Sequence, residues 1–362
     1  MALFMDIHVV EDEAFNDIAA MQGHHKDIAV QHKYGVKSLK YFLNLPEKKV
    51  FCLLEAPHKK ACVDLHIEAH GIGACNVIEL SSEIDFKAFL GEGTKNEDDL
   101  ALTITGEIDT GYRTLMMISL VDFSGRFGRN TIADKLHHLI KENRGSAINH
   151  PSNTIMASFV RASDAISCCM ASFSLLEFSQ CNIDYIMALV TGKPVDEVGS
   201  DFFGETKERL NTLCQIGLSK SVYIDAATNA LAKGQSKTEV NDQTKIVFVS
   251  EADFSFCGRL FKILDEKIND SNFKSEHLYK HLGLSKAKAY RKLKWLTGMS
   301  PNELIREVRL RRSLNELRNS NKNIAEIGYD LGFNSPTYFT RVFRKRFDIL
   351  PTEFAKLSNP HM

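Results

Sequence analysis

IAEIGYDLGFNSPTYFTRVFRKRFDILPTEF, Ile324–Phe354, decides how the last third of this 362-residue chain folds. Ile324, Ile327 and Leu331 recur at helical spacing, and Gly332 breaks the pattern. Ser335–Pro336 opens a second helix, with proline at the first turn, where its missing N–H leaves no bond unmade. That helix would present Thr337, Thr340, Arg341, Arg344 and Lys345. Tyr338, Phe339, Val342 and Phe343 read as packing or mixed positions. The pattern is helix, tight turn, basic helix.

The chain repeats this pattern upstream. FCGRLFKILDEKIND, 256–270, has helical apolar spacing, and SEHLYKHLGLSKAKAYRKLKWLTG, 275–298, gives a short helix, a Gly283 break and Ser285 as cap of a basic helix. Lys286, Lys288, Arg291, Lys292 and Lys294 point outward there, with Leu293 and Leu296 holding the helix to its bundle. SPNELIREVRLRRSLNELRNS, 300–320, joins the two units as one long helix. Charge agrees with a nucleic-acid reader. From Phe254 onward 21 Lys plus Arg face 11 Asp plus Glu, an excess of about 10, while the whole chain carries −1, so the remainder carries about −11.

These residues closely resemble the AraC/XylS family DNA-binding domain over about Phe256 to Lys356. The resemblance implies double-stranded DNA as partner, with each recognition helix in a major groove. It implies contacts from Ser285, Lys286, Lys288, Ala289, Arg291 and Lys292 in the first unit. In the second it implies Asn334, Ser335, Thr337, Tyr338, Arg341, Arg344 and Lys345. Gly283, Gly332, Ile327 and Phe343 read as architectural. A homodimer and contact with RNA polymerase are further expectations.

At the other end, LFMDIHVV alternates, so Phe4, Asp6 and His8 share one strand face. A helix over about Glu13–Lys33 follows, then a hairpin of VKSLKYFLNL and VFCLLEAP around PEKK. A helix over His58–His70 and a strand at CNVIEL complete the order βαββαβ, the ferredoxin-like plan. His66 and His70 stand one helical turn apart, where one ion can bridge them; the same spacing suits ordinary surface polarity. FMDIH, HHKDIAVQHKYGV, VFCLLEAP and HIEAHGI resemble the DUF4242 family over about residues 2–80, some of whose members are described as nickel-binding. The resemblance implies a nickel or zinc effector held by Asp6, His8, His24, Glu55, His66 and His70, with His25 the alternative to His24 if the helix register differs. Cys52, Cys62 and Cys75 read as small core residues, and His32 and His58 as surface.

Between these ends, SSEIDFKAFLGEGTKNEDD, 81–99, reads as an acidic linker. YRTLMMISLVDFSGRFG, TIMASF and FFGETKERLNTLC then resemble a class III nucleotide cyclase domain over about residues 110–250. Ser119 and Asn153 fall where that family has its two metal-holding aspartates, and Glu208 and Thr212 where it has Asn and Arg. Neither Ser119 nor Asn153 offers an anionic oxygen to a hard divalent ion, so the expectation is no enzyme: a silent domain that couples or dimerises. The fold expectation is multidomain, α+β and all-α: 1–82 ferredoxin-like, 83–109 linker, 110–252 cyclase-like α/β, 253–362 double helix-turn-helix. The eight cysteines form no CxxC pair and no apolar run is long enough to span a membrane, so a cytoplasmic metal-controlled transcription regulator is expected. Two alternatives stay open: a nucleotide- or other small-molecule-responsive regulator, and an active cyclase fused to a DNA reader.

Overall fold

The structure is a computed structural model that describes residues 1–80, 83–91, 93–123, 132–148, 154–179, 182–216, 220–235 and 246–358. Asn153 lies outside the described residues.

The N-terminal sheet follows from alternation. Strand β1 (Ala2–Val9) precedes helix α1 (Asp17–Val30), the hairpin β2 (Lys37–Asn44) and β3 (Lys49–Ala56), helix α2 (Lys59–His70) and β4 (Asn76–Leu80). The strands lie in the order β2-β3-β1-β4, with every pair antiparallel. One face, with Phe4, Tyr41, Cys52 and Leu54, packs on Ala20 of α1 and on Ala61, Cys62 and Leu65 of α2. The opposite face, with Met5, Ile7, Phe51 and Leu53, packs away from those helices. α1 is shorter than the sequence indicates because Asn16 caps it, accepting from the Ala19 N–H at 2.9 Å, and a 3₁₀ turn takes Gln31–Tyr34.

Residues 83–109 are more than a tether. They form helix α3 (Glu83–Leu90) and the short pair β5 (Thr94–Lys95) and β6 (Ala101–Leu102). Phe86, Phe89 and Leu90 of α3 sit in one continuous core with Met5, Phe51 and Leu53 on one side and with Leu115, Ile186 and Phe203 of the middle domain on the other. Arg113, 2% exposed, closes this junction by donating to both carboxylate oxygens of Asp109 (2.8 and 2.7 Å) and to the Leu90 carbonyl (2.6 Å). A buried guanidinium is tolerated only when so fully paired.

The middle domain runs β7 (Arg113–Asp122), α4 (Ile132–Glu142), β8 (Ser146–Ile148), β9 (Thr154–Phe159), α5 (Ala162–Glu177), β10 (Ile183–Gly192), α6 (Gly204–Ile216), β11 (Ser221–Asp225), α7 (Ala226–Gln235) and β12 (Ile246–Val249). Its six strands lie in the order β12-β11-β10-β7-β9-β8, parallel between β10, β11 and β12 and antiparallel elsewhere. Side chains of α4, α5 and α7 cover one face.

The C-terminal domain is helical: α8 (Glu251–Lys267), α9 (Ser275–Leu282), α10 (Lys286–Thr297), α11 (Pro301–Asn319), α12 (Ile324–Asp330), α13 (Pro336–Phe347) and α14 (Pro351–Ser358). It docks on the middle domain. Phe123 stacks on Phe347 at 4.9 Å and meets Phe354 at 5.5 Å. The Tyr223 hydroxyl donates to the Leu296 carbonyl at 3.1 Å. Asp184 of β10 accepts from Arg346 of α13 at 2.9 Å and from Arg311 of α11 at 3.4 Å, and Glu307 holds both arginines from the other side. Among the described residues no helix is long and apolar enough to cross a membrane.

Candidate nucleic-acid interface and candidate metal centre

The connecting helix α11 gives one flank to each helix-turn-helix unit. Leu304, Ile305 and Val308 enter the first core with Leu278, Leu293 and Leu296, while Leu310, Leu314 and Leu317 enter the second with Ile327, Phe339 and Phe343. Sharing one helix between two cores fixes the units relative to each other. Arg309, also on α11, donates to the carbonyls of Ile268 (2.9 Å) and Asp270 (2.7 Å), tying the end of α8 to the second unit's turn at Gly332.

Each recognition helix starts with a serine. Ser285 accepts from the Lys288 N–H and Ser335 from the Tyr338 N–H, with Pro336 in the first turn of α13. Their hydroxyls cap the helices whose first turns carry the exposed groups. Lys286, Lys288, Arg291, Asn334, Thr337, Tyr338, Arg341, Arg344 and Lys345 are exposed, as a DNA-facing surface requires, and Ser335 is half-buried. Arg341 lies over the Tyr338 ring at 5.3 Å, which holds its guanidinium beside the helix start.

Two residues differ from expectation. Ala289 is fully buried, at helical spacing with the buried Leu293 and Leu296, so its methyl packs against the domain core and is not on the exposed face of α10. Lys292 is turned inward to the buried Asp253 carboxylate, which caps α8 with Ser250, and lies over the Trp295 ring at 5.2 Å. Its ion pair with Asp253 braces the first unit, and the side chain is half-buried. The sequence reading also passed over Tyr290 and Trp295, which are exposed on α10 at 44% and 52%.

In the N-terminal domain, β1, α1 and α2 bring together a buried cluster. His66 is fully buried between two carboxylates, its Nε2 2.6 Å from Asp6 Oδ2 and its Nδ1 3.2 Å from Asp27 Oδ1. Asp27 Oδ1 also meets His70 Nε2 at 2.8 Å. Asp6 Oδ1 accepts from the Cys52 N–H at 3.1 Å and lies 3.3 Å from His8 Nε2. The donor atoms of Asp6, His8 and Cys52 lie within 4.8 Å of one another, as do those of Asp27, His66 and His70.

The electrostatics follow from this enclosure. Burial alone would push the Asp6 carboxyl up, but the charges of His66 and His8 and the hydrogen bond with His66 hold it well below the usual carboxylate range. Asp27 is lowered in the same way, against burial, by His66 and His70. Burial opposes charge on His66 too, yet Asp6 and Asp27 win and push its imidazole up to about 10. His24 goes the other way: burial lowers it despite Asp99, 3.3 Å from its Nε2. In this part of the chain, among the described residues, His8 Nε2, misaligned on Asp6, and His24 Nδ1 are buried without a hydrogen-bond partner.

Of the expected ligand set, the structure joins Asp6, His8, His66 and His70, and sets His24 in the wall of the adjoining cavity. Glu55 is not among them. Period-2 alternation puts it on the Phe51 and Leu53 side of β3, opposite Cys52, where it faces Lys37 at 4.0 Å. Exposed His25 pairs with Asp98, and His58 caps α2, its Nδ1 accepting from the Ala61 N–H at 3.1 Å. Cys52 and Cys62 are core residues; Cys75 is exposed, contrary to expectation, just before β4, where it lines the cavity beside the cluster. The missed residue is Asp27. It lies three positions after His24 and seven after Ala20, on the one buried stripe of α1, and that spacing was readable.

Residues 278–357 match a family model described as a helix-turn-helix domain, and residues 4–80 one described as nickel responsive protein SCO4226-like. Over 95 residues the chain is 35% identical to the regulatory protein SoxS of Salmonella typhimurium, a stretch amounting to 26% of this chain and 88% of SoxS. The chain belongs to the AraC family. This AraC-type chain is also 32% identical over 108 residues to histidine kinase P4 of Formosa agariphila, covering 30% of the chain and 8% of that kinase. It thus spans less than a tenth of the kinase's length. The crystal structure of SCO4226 from Streptomyces coelicolor A3(2) is similar over 23% of this chain and 99% of its own, at 26% identity and a TM-score of 0.21. The two family matches leave residues 81–277 outside them.

Proposed function

We propose that the protein is a transcription regulator that reads double-stranded DNA through α10 and α13 and is controlled by a transition metal, nickel or zinc, in its first domain. The observation carrying the DNA reading is that two capped, cation-bearing helices are exposed while one helix, α11, supplies the core of both units. The metal reading draws on the orphaned His8 and His24 nitrogens beside two carboxylates and two further imidazoles. Such a donor set suits borderline divalent ions. Asp6, His8, Asp27, His66 and His70 would hold the ion, with His24 beside them, His66 giving up the proton it shares with a carboxylate to free a ring nitrogen. The ion would supply a bridge between β1, α1 and α2. The protein's own part is to keep the carboxylates ionised and the imidazoles oriented, which the His66 pairings do.

We read the first unit as ferredoxin-like, supported by its strand order, and the middle as a cyclase-like domain without activity. Ser119 there is a half-buried hydroxyl on β7, and Glu208 and Thr212 lie on α6. Its part is to connect the metal domain, through the core around α3, to the DNA-binding domain at Asp184 and Phe123.

Nickel uptake by the full chain, followed by equilibrium dialysis, tests the metal reading. One ion per chain should bind far below millimolar concentration and be lost in His66→Ala/His70→Ala. Equal uptake by the variant, or none by the native chain, ends it.

A further inference from the structure

The cavity beside the buried cluster is large for an ion. It encloses about 550 Å³ and has His8, His24, Asp27 and His70 in its wall. An ion with six waters, at about 30 Å³ each, fills about 180 Å³. The rest of the wall is mainly apolar, with Val9, Val10, Phe15, Ala19 and Ile72, beside the polar groups of Glu11, Tyr41, Cys52 and Cys75. Val9 and Ile72 are 41% and 71% exposed, so apolar surface continues to solvent beside the site. Water filling that space leaves apolar surface wet, whereas an organic body would cover it. The volume is in the range of small-molecule pockets, and a few polar donors set in a mainly apolar wall are how such pockets orient a ligand.

We infer that this site takes its metal together with a small organic chelator, one that coordinates the ion through a nitrogen and a carboxylate and lays an apolar body against Val9, Phe15, Ala19 and Ile72. The inference rests on the metal reading above and names what else the site recognises. The protein's imidazoles and carboxylates would meet the ion on one side and the chelator would complete it on the other, covering the apolar wall. The effector would then be a metal chelate, and the bare ion a weaker ligand.

The test uses the full chain and three probes in equilibrium dialysis: nickel alone, nickel with one equivalent of pyridine-2-carboxylate, and nickel with one equivalent of glycine. The last two share a nitrogen–carboxylate donor pair, but only the first has a ring. Metal and chelator are counted separately. Nickel–pyridine-2-carboxylate should be retained one to one and at least tenfold more tightly than nickel alone, with glycine giving a smaller gain. Ala19→Trp, which narrows the exposed wall and touches none of the donors, should abolish the ring-dependent gain and leave uptake of nickel alone unchanged. Nickel bound without retained chelator, an equal gain with glycine, or a gain undiminished in Ala19→Trp would overturn the inference while the metal reading stands. Uptake of none of the three probes overturns both.

Discussion

The two helix-turn-helix glycines look alike in sequence and are held differently. Gly283 and Gly332 both follow the first helix of their unit with positive φ, +65° and +78°. An alanine at either pays the left-handed penalty of about 1–2 kcal/mol. Around Gly283 nothing lies within 4 Å of an added Cβ. At Gly332 the Cβ would sit 2.9 Å from each of Arg309 Nη2, the Asn269 carbonyl and the Ile268 carbonyl. Relief requires shifting the 268–269 backbone and with it Arg309, which meets the Ile268 and Asp270 carbonyls at 2.9 and 2.7 Å, a loss of about 1–3 kcal/mol for charged hydrogen bonds. Gly332→Ala should therefore cost about 2–5 kcal/mol and Gly283→Ala about 1–2. Native-state hydrogen exchange is the assay, since unfolding of a multidomain chain need not be two-state. Protection of peptides from α12 and from the end of α8 should fall about 5- to 150-fold further in Gly332→Ala than any peptide falls in Gly283→Ala. Equal losses, or a larger one at Gly283, would refute the claim that α11 pins the second unit through Arg309.

Three further outcomes follow from the same geometry. Arg291→Ala should weaken duplex DNA binding by about 1–3 kcal/mol, whereas Lys292→Met should leave the salt dependence of binding unchanged and instead lower the thermal stability of the first unit; calorimetry and fluorescence anisotropy separate the two. In the metal-free chain, folding raises the His66 pKa from its ordinary value to about 10. Its stabilisation is then complete below about pH 6.5 and lost as pH rises through 10, so urea midpoints should fall over that window, and a His66→Gln variant should lack the decline. Asp184→Asn keeps the shape and removes the charge facing Arg346 and Arg311. Because Glu307 still holds both arginines, the loss should be only about 1–2 kcal/mol, seen in calorimetry as the C-terminal domain melting apart from the middle one. An unchanged melting profile would show that the contact carries no coupling.

Local chemistry made much of this legible. Ser335, Pro336 and Gly332 punctuate the second unit where the structure breaks it, and alternation in β1 already put Asp6 and His8 on one face. Ala289, Leu293 and Leu296 form a buried stripe at helical spacing, so periodicity sets Ala289 toward the core, against the contact that likeness to a recognition helix implies. Alternation in β3 sets Glu55 with Phe51 and Leu53, away from the face of Cys52, against what the family resemblance implies. Phe86, Phe89 and Leu90 in the supposed linker likewise have the spacing of a buried helix face. Other features had no local signal. The partner that turns Lys292 inward is Asp253, thirty-nine positions upstream. The carboxylates enclosing His66 come from β1 and α1, and Arg346, which reads like one more cation of a basic helix, is spent on Asp184 and Glu307. Such pairings arise only when distant elements meet.

Metal control of DNA binding requires coupling between the buried cluster and the recognition helices. Its most direct test is the affinity of the full chain for a duplex selected from random sequence, measured by anisotropy with and without saturating nickel. A regulatory ion must shift that affinity by its differential binding to two states, typically about 5- to 150-fold. The account predicts such a shift in the native chain and none in His66→Ala/His70→Ala. Tight nickel binding with identical DNA affinities in both conditions would contradict it.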